Sequence, residues 1–499
     1  MSRRIDLATV IALTLLAFFV RISFSYAGLS WDDSHHILVA RASSWSHFLH
    51  ESSMARHPPL FFLFLKPFVA VATEPWMIRL PCQILGALLI PFCYLLGRQW
   101  HFDRLTLIVW TLLLAVHPTL VEASYELRSY TLALFPTLLA TYVAWRFYEN
   151  RDEGCQSRRA SAALGATIFV SALCDYTAIP YLAALLLIAF WPIRWERSDI
   201  INSFQSSLPA AMGIAGAGIA IIYVIGETAT LPGHAVAGTL PGTNASVWSY
   251  LWRQSSAYVS SAHGFSTSSW WLIGLLGILG LAAWLDLSLR RSFWFRLTLT
   301  IFLVRAVLGI GGWFPLSGGR YAMIHFPAIL LLSVLALGSV SKRFSTHRPR
   351  VFLAAIAGLW IAVSFLQNQP ATRDVPPPDR IAKLTRELLS PDTQLYAGPG
   401  GAIGAHWWLL RDQKFSFVDR QKVFGEKSMR KYWDFETCPT PRCIILVAQE
   451  FPGQRRRFAR LKTRLRHLDI PFTIEPIPEI RLALVRVGSL TNPRKPGPR

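Results

Sequence analysis

Charge is scarce in this chain. Only 16% of its 499 residues are Asp, Glu, Lys or Arg, where a soluble domain carries about 25%. That shortfall excludes an ordinary water-soluble globular protein, and a 52% share of hydrophobic residues assigns most of the chain to lipid. Negative charge is scarcer still: 29 Asp+Glu stand against 50 Lys+Arg, a formal +21. No nucleic-acid motif and no basic-aromatic groove pattern accompany that excess, so nucleic acid is set aside as a partner. A small-residue cleavage site is missing after the first apolar run, where Arg21 and Ser23 stand instead, so the run reads as an uncleaved helix rather than a signal peptide. Cysteines are few and scattered. Cys82, Cys93 and Cys174 fall in apolar runs and read as small hydrophobes. Cys438 and Cys443 flank Pro-Thr-Pro-Arg and read equally as two thiols or as a pair formed in an oxidising compartment.

What is present is a series of long apolar runs. Stretches able to span the hydrocarbon core at 1.5 Å per residue fall near 6–26, 76–97, 105–121, 129–148, 160–178, 180–193, 207–227, 269–289, 293–313, 321–340 and 351–368, about eleven helices. Pro180 separates the fifth from the short sixth. Alternate loops collect the basic residues: Arg3 and Arg4; Arg98 and Arg104; Arg151, Arg158 and Arg159; Arg194 and Arg197; Arg290, Arg291 and Arg296; then Lys342, Arg343, Arg348 and Arg350. By the positive-inside rule the amino terminus is cytoplasmic and everything beyond Gln367 lies outside. The expected location is a bacterial cytoplasmic (inner) membrane, with a periplasmic C-terminal part.

The expected organisation is a membrane domain over 1–368, a linker over 369–378, an α/β domain over 379–491 and a disordered tail over 492–499. Strand-like runs at Gln394–Ala397, Phe415–Val418, Cys443–Val447 and Arg481–Val487 support the α/β expectation. Arg455, Arg456, Arg457, Arg460, Lys462, Arg464 and Arg466 crowd one helical stretch, which reads as a solvated face or as a contact with anionic headgroups. Two outer segments are long, about 28–75 and 227–268. The second is rich in Gly, Ser, Thr and Pro and is expected to be a flexible loop, a candidate substrate lid.

The first outer loop carries the chemistry. It reads Leu29-Ser-Trp-Asp-Asp-Ser-His-His-Ile-Leu-Val-Ala-Arg, so Asp32 and Asp33 sit where the chain leaves the membrane. Ile37, Leu38 and Trp45 suit an amphipathic interfacial helix. Arg56-His57-Pro58-Pro59-Leu60 with the aromatic run to Pro67 suits a second one, with Lys66 snorkelling. On residue type alone, Asp32 and Asp33 read first as a helix N-cap pair and second, with His35 and His36, as a metal site.

The order of first helix, acidic pair, interfacial helix and His-Pro-Pro-Leu-aromatic helix resembles the GT-C glycosyltransferases, in particular the branch of protein O-mannosyltransferases and lipid A aminoarabinose transferases. Glu126-Leu127-Arg128-Ser129-Tyr130 resembles that branch's Glu-x-Arg-x-Tyr segment. Asp175-Tyr176-Thr177-Ala178 is similar to its polar-Tyr-Thr turn, and Gly319-Arg320-Tyr321 with Pro327 to its late Arg-Tyr helix start. The motifs cover roughly the first 340 residues in order. The departure is Asp33, where the family more often has Glu, and the C-terminal part carries no resemblance.

The resemblance implies an all-α polytopic GT-C fold with interfacial helices in its first outer loop. It also implies transfer of a sugar from a polyprenyl-phosphate donor to a glycan, lipid or protein acceptor outside the membrane. Asp32 matches the catalytic Asp and is the expected general base. Asp33 is expected to orient it, bind the acceptor or help hold a divalent cation, which the reaction does not require. Arg128 and Arg320, with His57 and Arg56, are the expected phosphate holders, the alternative for each Arg being a snorkelling anchor. Tyr130, Tyr321, Glu126, Asp175 and Tyr176 are expected to line the substrate. Arg305 lies within an apolar run, at a cost of about 2.5–3.5 kcal/mol on the insertion scale, and must face protein or water; Glu122 is a candidate partner. The rival readings are a lipid-linked oligosaccharide flippase or transporter and a polysaccharide polymerase or ligase. Transporter repeats and broken mid-membrane helices are not evident.

Overall fold

The structure is a computed structural model. It describes residues 2–23, 31–42, 44–54, 57–72, 75–149, 158–189, 246–265, 277, 280–281, 285–311, 316, 319–344 and 349–367, four strands between 394 and 487, and residues 463 and 466. The chain divides into two compact units. One comprises Met1–Ser25, Ala42–Thr228 and Gly233–Ala371; the other comprises Tyr26–Arg41, Ala229–Pro232 and Thr372–Arg499.

The first unit is helical throughout its described residues. Its elements are α1 (Ser2–Ile22), α3 (Trp45–Met54), α4 (Pro59–Val71), α5 (Pro75–Gln99), α6 (Arg104–Val116), α7 (Pro118–Tyr125), α8 (Tyr130–Glu149), α9 (Arg158–Cys174), α10 (Ile179–Ala189), α11 (Val247–Ala262), α12 (Leu287–Arg290), α13 (Phe293–Ile310), α14 (Phe326–Phe344) and α15 (Pro349–Gln367). Two 3-10 segments, Tyr176–Ala178 and Gly319–His325, lead into α10 and α14. The remaining helix, α2 (Trp31–Arg41), belongs to the second unit. The first outer loop thus holds three helices rather than two, and Trp45 opens a helix of its own.

Helices occupy nine of the eleven apolar runs, while 207–227 and nearly all of 269–289 lie outside the described residues. Among the described residues, three helices are long and apolar enough to cross a membrane: Trp76–Gln99, Phe293–Ile310 and Ala322–Lys342. A fourth candidate is the bent pair α6 and α7.

That pair corrects the expectation of one straight span over 105–121. The two helices meet at 51° because Pro118, first residue of α7, has no N–H to return to Leu114 and its ring disfavours helix in the residue before it. The freed carbonyls find a donor from another helix. Arg21, fully buried at the end of α1, donates from Nη1 to Ala115 O (2.8 Å) and Ala17 O (3.0 Å), and from Nε to Ser124 Oγ (3.1 Å). Gly86 makes the approach possible: a Cβ there would stand 2.2 Å from Ser124 Oγ and 2.7 Å from Arg21 Nε.

The break between α9 and α10 also moves from its expected place. It falls at Asp175, whose carboxylate accepts from Thr177 N and caps the 3-10 turn, while Pro180 sits within the first turn of α10, where its missing N–H costs nothing.

A further correction concerns the expected flexible loop. Its residues 227–245 lie outside the described ones, but 246–265 form a capped helix packed into the bundle. Ser246 Oγ accepts from Ser249 N at the start of α11. At its end Gly264 takes a positive φ of 74°, with Gly264 N bonded to Ser261 O (3.1 Å) and Phe265 N to Ser260 O (2.9 Å), the paired closure that glycine permits. Trp360 of α15 donates to His263 O (2.8 Å), and the His263 ring meets Ser333 Oγ of α14 (2.9 Å). Burying this end against two other helices holds the segment as helix despite its many serines.

Lys66, expected to snorkel, instead donates to Ala42 O (2.8 Å) and lies over the Phe48 ring, tying α4 to the start of α3. Cys82, Cys93 and Cys174 are buried, as small hydrophobes in apolar runs should be.

In the second unit the four strands β1 (Gln394–Ala397), β2 (Cys443–Ala448), β3 (Phe472–Ile477) and β4 (Leu482–Val487) form one sheet in the order β1-β2-β4-β3. β1 runs parallel to β2, and the other two pairings are antiparallel. The wholly apolar β2 takes an inner position, while β3, which contains Pro476 and so lacks one ladder donor, takes an edge. The expected strand at 415–418, the basic stretch apart from residues 463 and 466, Cys438 and the tail lie outside the described residues.

Candidate functional site

Glu126, Arg128, Tyr130, Asp175 and Tyr176 lie on two turns that meet at one end of the bundle. The turn from α7 to α8 presents Glu126, Arg128, Ser129 and Tyr130 in sequence. Glu126 N closes α7 on Glu122 O (2.9 Å), and Arg128 N returns to Glu126 O (2.8 Å), folding the two side chains to the same side. Arg128 Nε meets Glu126 Oε2 at 3.3 Å, with both side chains buried. A charge pair so sheltered is screened far less by water than a surface pair, so Glu126 aligns the guanidinium rather than merely neutralising it.

Ser129 donates to Asp175 Oδ2, and Asp175 Oδ1 accepts from Thr177 N (2.7 Å) and Thr177 Oγ1 (2.6 Å). These bonds bind the start of α8 to the turn after α9, although 46 residues separate Ser129 from Asp175. Burial pushes the Asp175 carboxyl up from its ordinary value, against the hydrogen bonds from Ser129 and Thr177 and the charge of Arg128. Tyr130 is buried. The Tyr176 hydroxyl is buried with no hydrogen-bond partner among the described residues, and burial pushes its pKa up. The Gly319–His325 segment packs against α7, α8 and the Tyr176–Ala178 turn. Arg320 and Tyr321 therefore start from backbone positions beside this cluster; their side chains lie outside the described ones.

His57 is half-buried just before α4, where its carbonyl accepts from Ser52 Oγ (2.9 Å) and its ring stands edge-on to Phe62. Arg56 lies outside the described residues. Asp32 and Asp33 occupy the first turn of α2 in the second unit. Asp33 is 1% exposed and shares a buried face with His36, Ile37 and Ala40, at helical spacing; the Asp32 side chain is not among the described ones. Among the described residues no group of three His, Cys, Asp or Glu is placed to hold a metal.

Several buried polar residues were not singled out from the sequence. Arg21 is one, and Arg79, nearly inaccessible at the start of α5, is another. Arg79 had a readable signal, since a cation within an apolar run needs protein or water around it. His117, His263 and His325, all buried, carry no comparable signal, because a lone histidine in an apolar run suits packing equally well. Arg305 is fully buried, with Nη1 3.2 Å from His325 Nδ1 and its guanidinium over the Tyr258 ring.

Comparison with known proteins bears on the fold. Residues 56–223 match the family described as dolichyl-phosphate-mannose-protein mannosyltransferase. The fold is similar to apo ArnT from Cupriavidus metallidurans, at 13% identity and a TM-score of 0.54, over 99% of this chain and 100% of that one. The chain shares the fold of ArnT. The same likeness of fold extends to ArnT from that organism bound to undecaprenyl phosphate, at 12% identity and a TM-score of 0.51, over 97% of this chain and 98% of that one. No curated protein sequence matches this chain.

Proposed function

We propose that this protein transfers a sugar from a polyprenyl-phosphate donor to an acceptor on the outer face of the cytoplasmic membrane, with Asp32 as general base. The observation that carries the reading is the buried cluster of Glu126, Arg128, Ser129 and Asp175 at one end of the bundle, beside the segment bearing Arg320. A lipid phosphate is a weakly basic leaving group. It needs fixed positive charge as the glycosidic bond breaks, not a general acid.

In the step proposed, the acceptor hydroxyl oxygen attacks the anomeric carbon while the bond from that carbon to the phosphate oxygen breaks, its electron pair leaving with the polyprenyl phosphate. Asp32 takes the hydroxyl proton, a contribution worth about 10²–10⁴-fold in rate. Arg128, aligned through Nε by Glu126, and Arg320 hold the departing phosphate, with His57 and Arg56 contributing from the first loop. Asp33 orients Asp32 or binds the acceptor. Tyr130, Tyr176, Tyr321 and Asp175 line the sugar. The ArnT structure with undecaprenyl phosphate supports a donor of that chemical class, and the sugar and acceptor are left to experiment.

The test is release of polyprenyl phosphate from a lipid-linked sugar by purified protein. Asp32→Asn should abolish release while the protein stays folded and membrane-inserted, and near-normal turnover would remove Asp32 as the base. Translocation of the lipid-linked sugar across the bilayer without cleavage would instead support a flippase.

A further inference from the structure

We infer that His325 is a positioning residue for the donor phosphate: it locks the Gly319–His325 segment, and through it Arg320, to helices α11 and α13. The proposal rests on the reading above, in which Arg320 holds that phosphate.

The segment has little to hold it by itself. A 3-10 helix has poorer hydrogen-bond geometry than an α-helix, and its first residue, Gly319, has no side chain to anchor it. Its place must be determined from outside, and His325, its last residue, is where that happens. The imidazole is fully buried. Arg305 Nη1 of α13 stands 3.2 Å from its Nδ1, and Tyr258 OH of α11 stands 3.0 Å from the same atom. A guanidinium has only donors, so Nδ1 presents its lone pair and the ring proton sits on Nε2. Tyr258 and Arg305 then share that one lone pair, and the buried Nε2–H has no hydrogen-bond partner among the described residues.

Tyr181 of α10 stacks on the imidazole, with centroids 5.7 Å apart and planes at 23°. Its hydroxyl is in turn bonded to Thr141 Oγ1 of α8 (2.9 Å). The Arg305 guanidinium also lies over the Tyr258 ring, 5.2 Å from the centroid. Four helices thereby fix one imidazole in position and in tautomer. Arg320 precedes His325 by five residues, roughly 10 Å along a 3-10 axis at about 2.0 Å per residue, so His325 acts through the backbone and not by touching the phosphate.

The experiment uses full-length protein in nanodiscs with undecaprenyl phosphate as the probe. Asn places an acceptor oxygen where Nδ1 stands, whereas Leu fills the space without one. His325→Leu should weaken binding about tenfold, and His325→Asn should restore most of it. In an Arg320→Ala background, His325→Leu should add little, because both changes remove the same interaction. A second readout needs no ligand: Ala322, fully buried within the segment, is replaced by Cys, and its maleimide labelling should speed up severalfold with His325→Leu and not with His325→Asn.

Independent, multiplying effects of His325→Leu and Arg320→Ala, or unchanged labelling, would overturn the lock. Should the wild type not bind undecaprenyl phosphate while labelling responds as expected, the donor reading fails and the lock stands. Tyr258→Phe removes one hydroxyl only. If His325→Leu does not fold, Tyr258→Phe carries the same measurements, with faster labelling expected and an unchanged rate overturning the lock.

Discussion

The two ends of the helical bundle handle charge in opposite ways. At one end Asp6 of α1 meets Arg98 at the close of α5 (3.3 Å) and Arg104 at the start of α6 (3.2 Å), and those arginine side chains are 50% and 45% exposed. At the other end Arg128 and Glu126 are 4% and 8% exposed, and Arg21, Asp175 and His325 are sealed in. Exposed pairs keep their water and contribute little, with a median of about 0–1 kcal/mol. Buried groups have lost that water and must be satisfied by one another, at high cost if any partner is removed. A fold that gathers so many buried polar groups at one end has built something more than an anchor there. The exposed end keeps its charges in water, and the buried end settles them against one another.

Substitutions at each end put this contrast at risk. The largest effect is expected for Arg128→Ala, which strips the cation from Glu126 and from beside Asp175. It should cost about 3–5 kcal/mol of stability as well as donor use, read by thermal unfolding in detergent and by sugar transfer. If it melts like the wild type, the pair does not contribute as its burial implies.

Next comes Arg21→Met, which keeps the apolar stem but leaves carbonyls at the α6–α7 bend and the Ser124 hydroxyl without their donor. A loss of about 2–4 kcal/mol is expected, and circular dichroism should show helix still largely formed.

Asp175 offers a pH test. Burial raises its folded-state pKa above the unfolded value of about 3.9, so the folded protein holds that proton more tightly. The stability from this site is complete below the unfolded value and is lost as pH rises through the raised one. Asp175→Asn does not titrate and should flatten the fall in Tm over that rise; an identical slope would mean that the carboxyl is not held up by burial.

The smallest effect is expected for Arg98→Ala, no more than about 1 kcal/mol and shrinking further in high salt. A large loss there would erase the distinction between the two ends.

Much of the helical layout was legible because hydrocarbon imposes a simple demand: long apolar runs form helices since no water is present to satisfy the backbone. Interruptions were harder to read. Pro118 was visible, yet whether a proline kinks a span depends on a neighbour able to take up the freed carbonyls, and that neighbour, Arg21, comes from another helix. α11 was hidden by its serines, although Ser246 and Gly264 bracket it with the expected start and stop signals. β3 was masked by Pro476, which an edge position tolerates. In the site, the Glu-Leu-Arg-Ser-Tyr and Asp-Tyr-Thr-Ala segments could be picked out by resemblance, but the bond from Ser129 to Asp175 could not, since nothing in either segment names the other.

The sequence by itself determined that this is a membrane protein, where most of its long apolar helices lie, and which short segments bring polar residues to the ends of those helices. These follow from local hydropathy, proline and glycine placement, and motif order. Only the tertiary structure decided which of those residues meet. Glu126 takes Arg128, Ser129 takes Asp175, and His325 receives both Arg305 and Tyr258. The reason is physical. A buried donor or charge must find a partner wherever the packing brings one, and packing joins helices that are far apart along the chain.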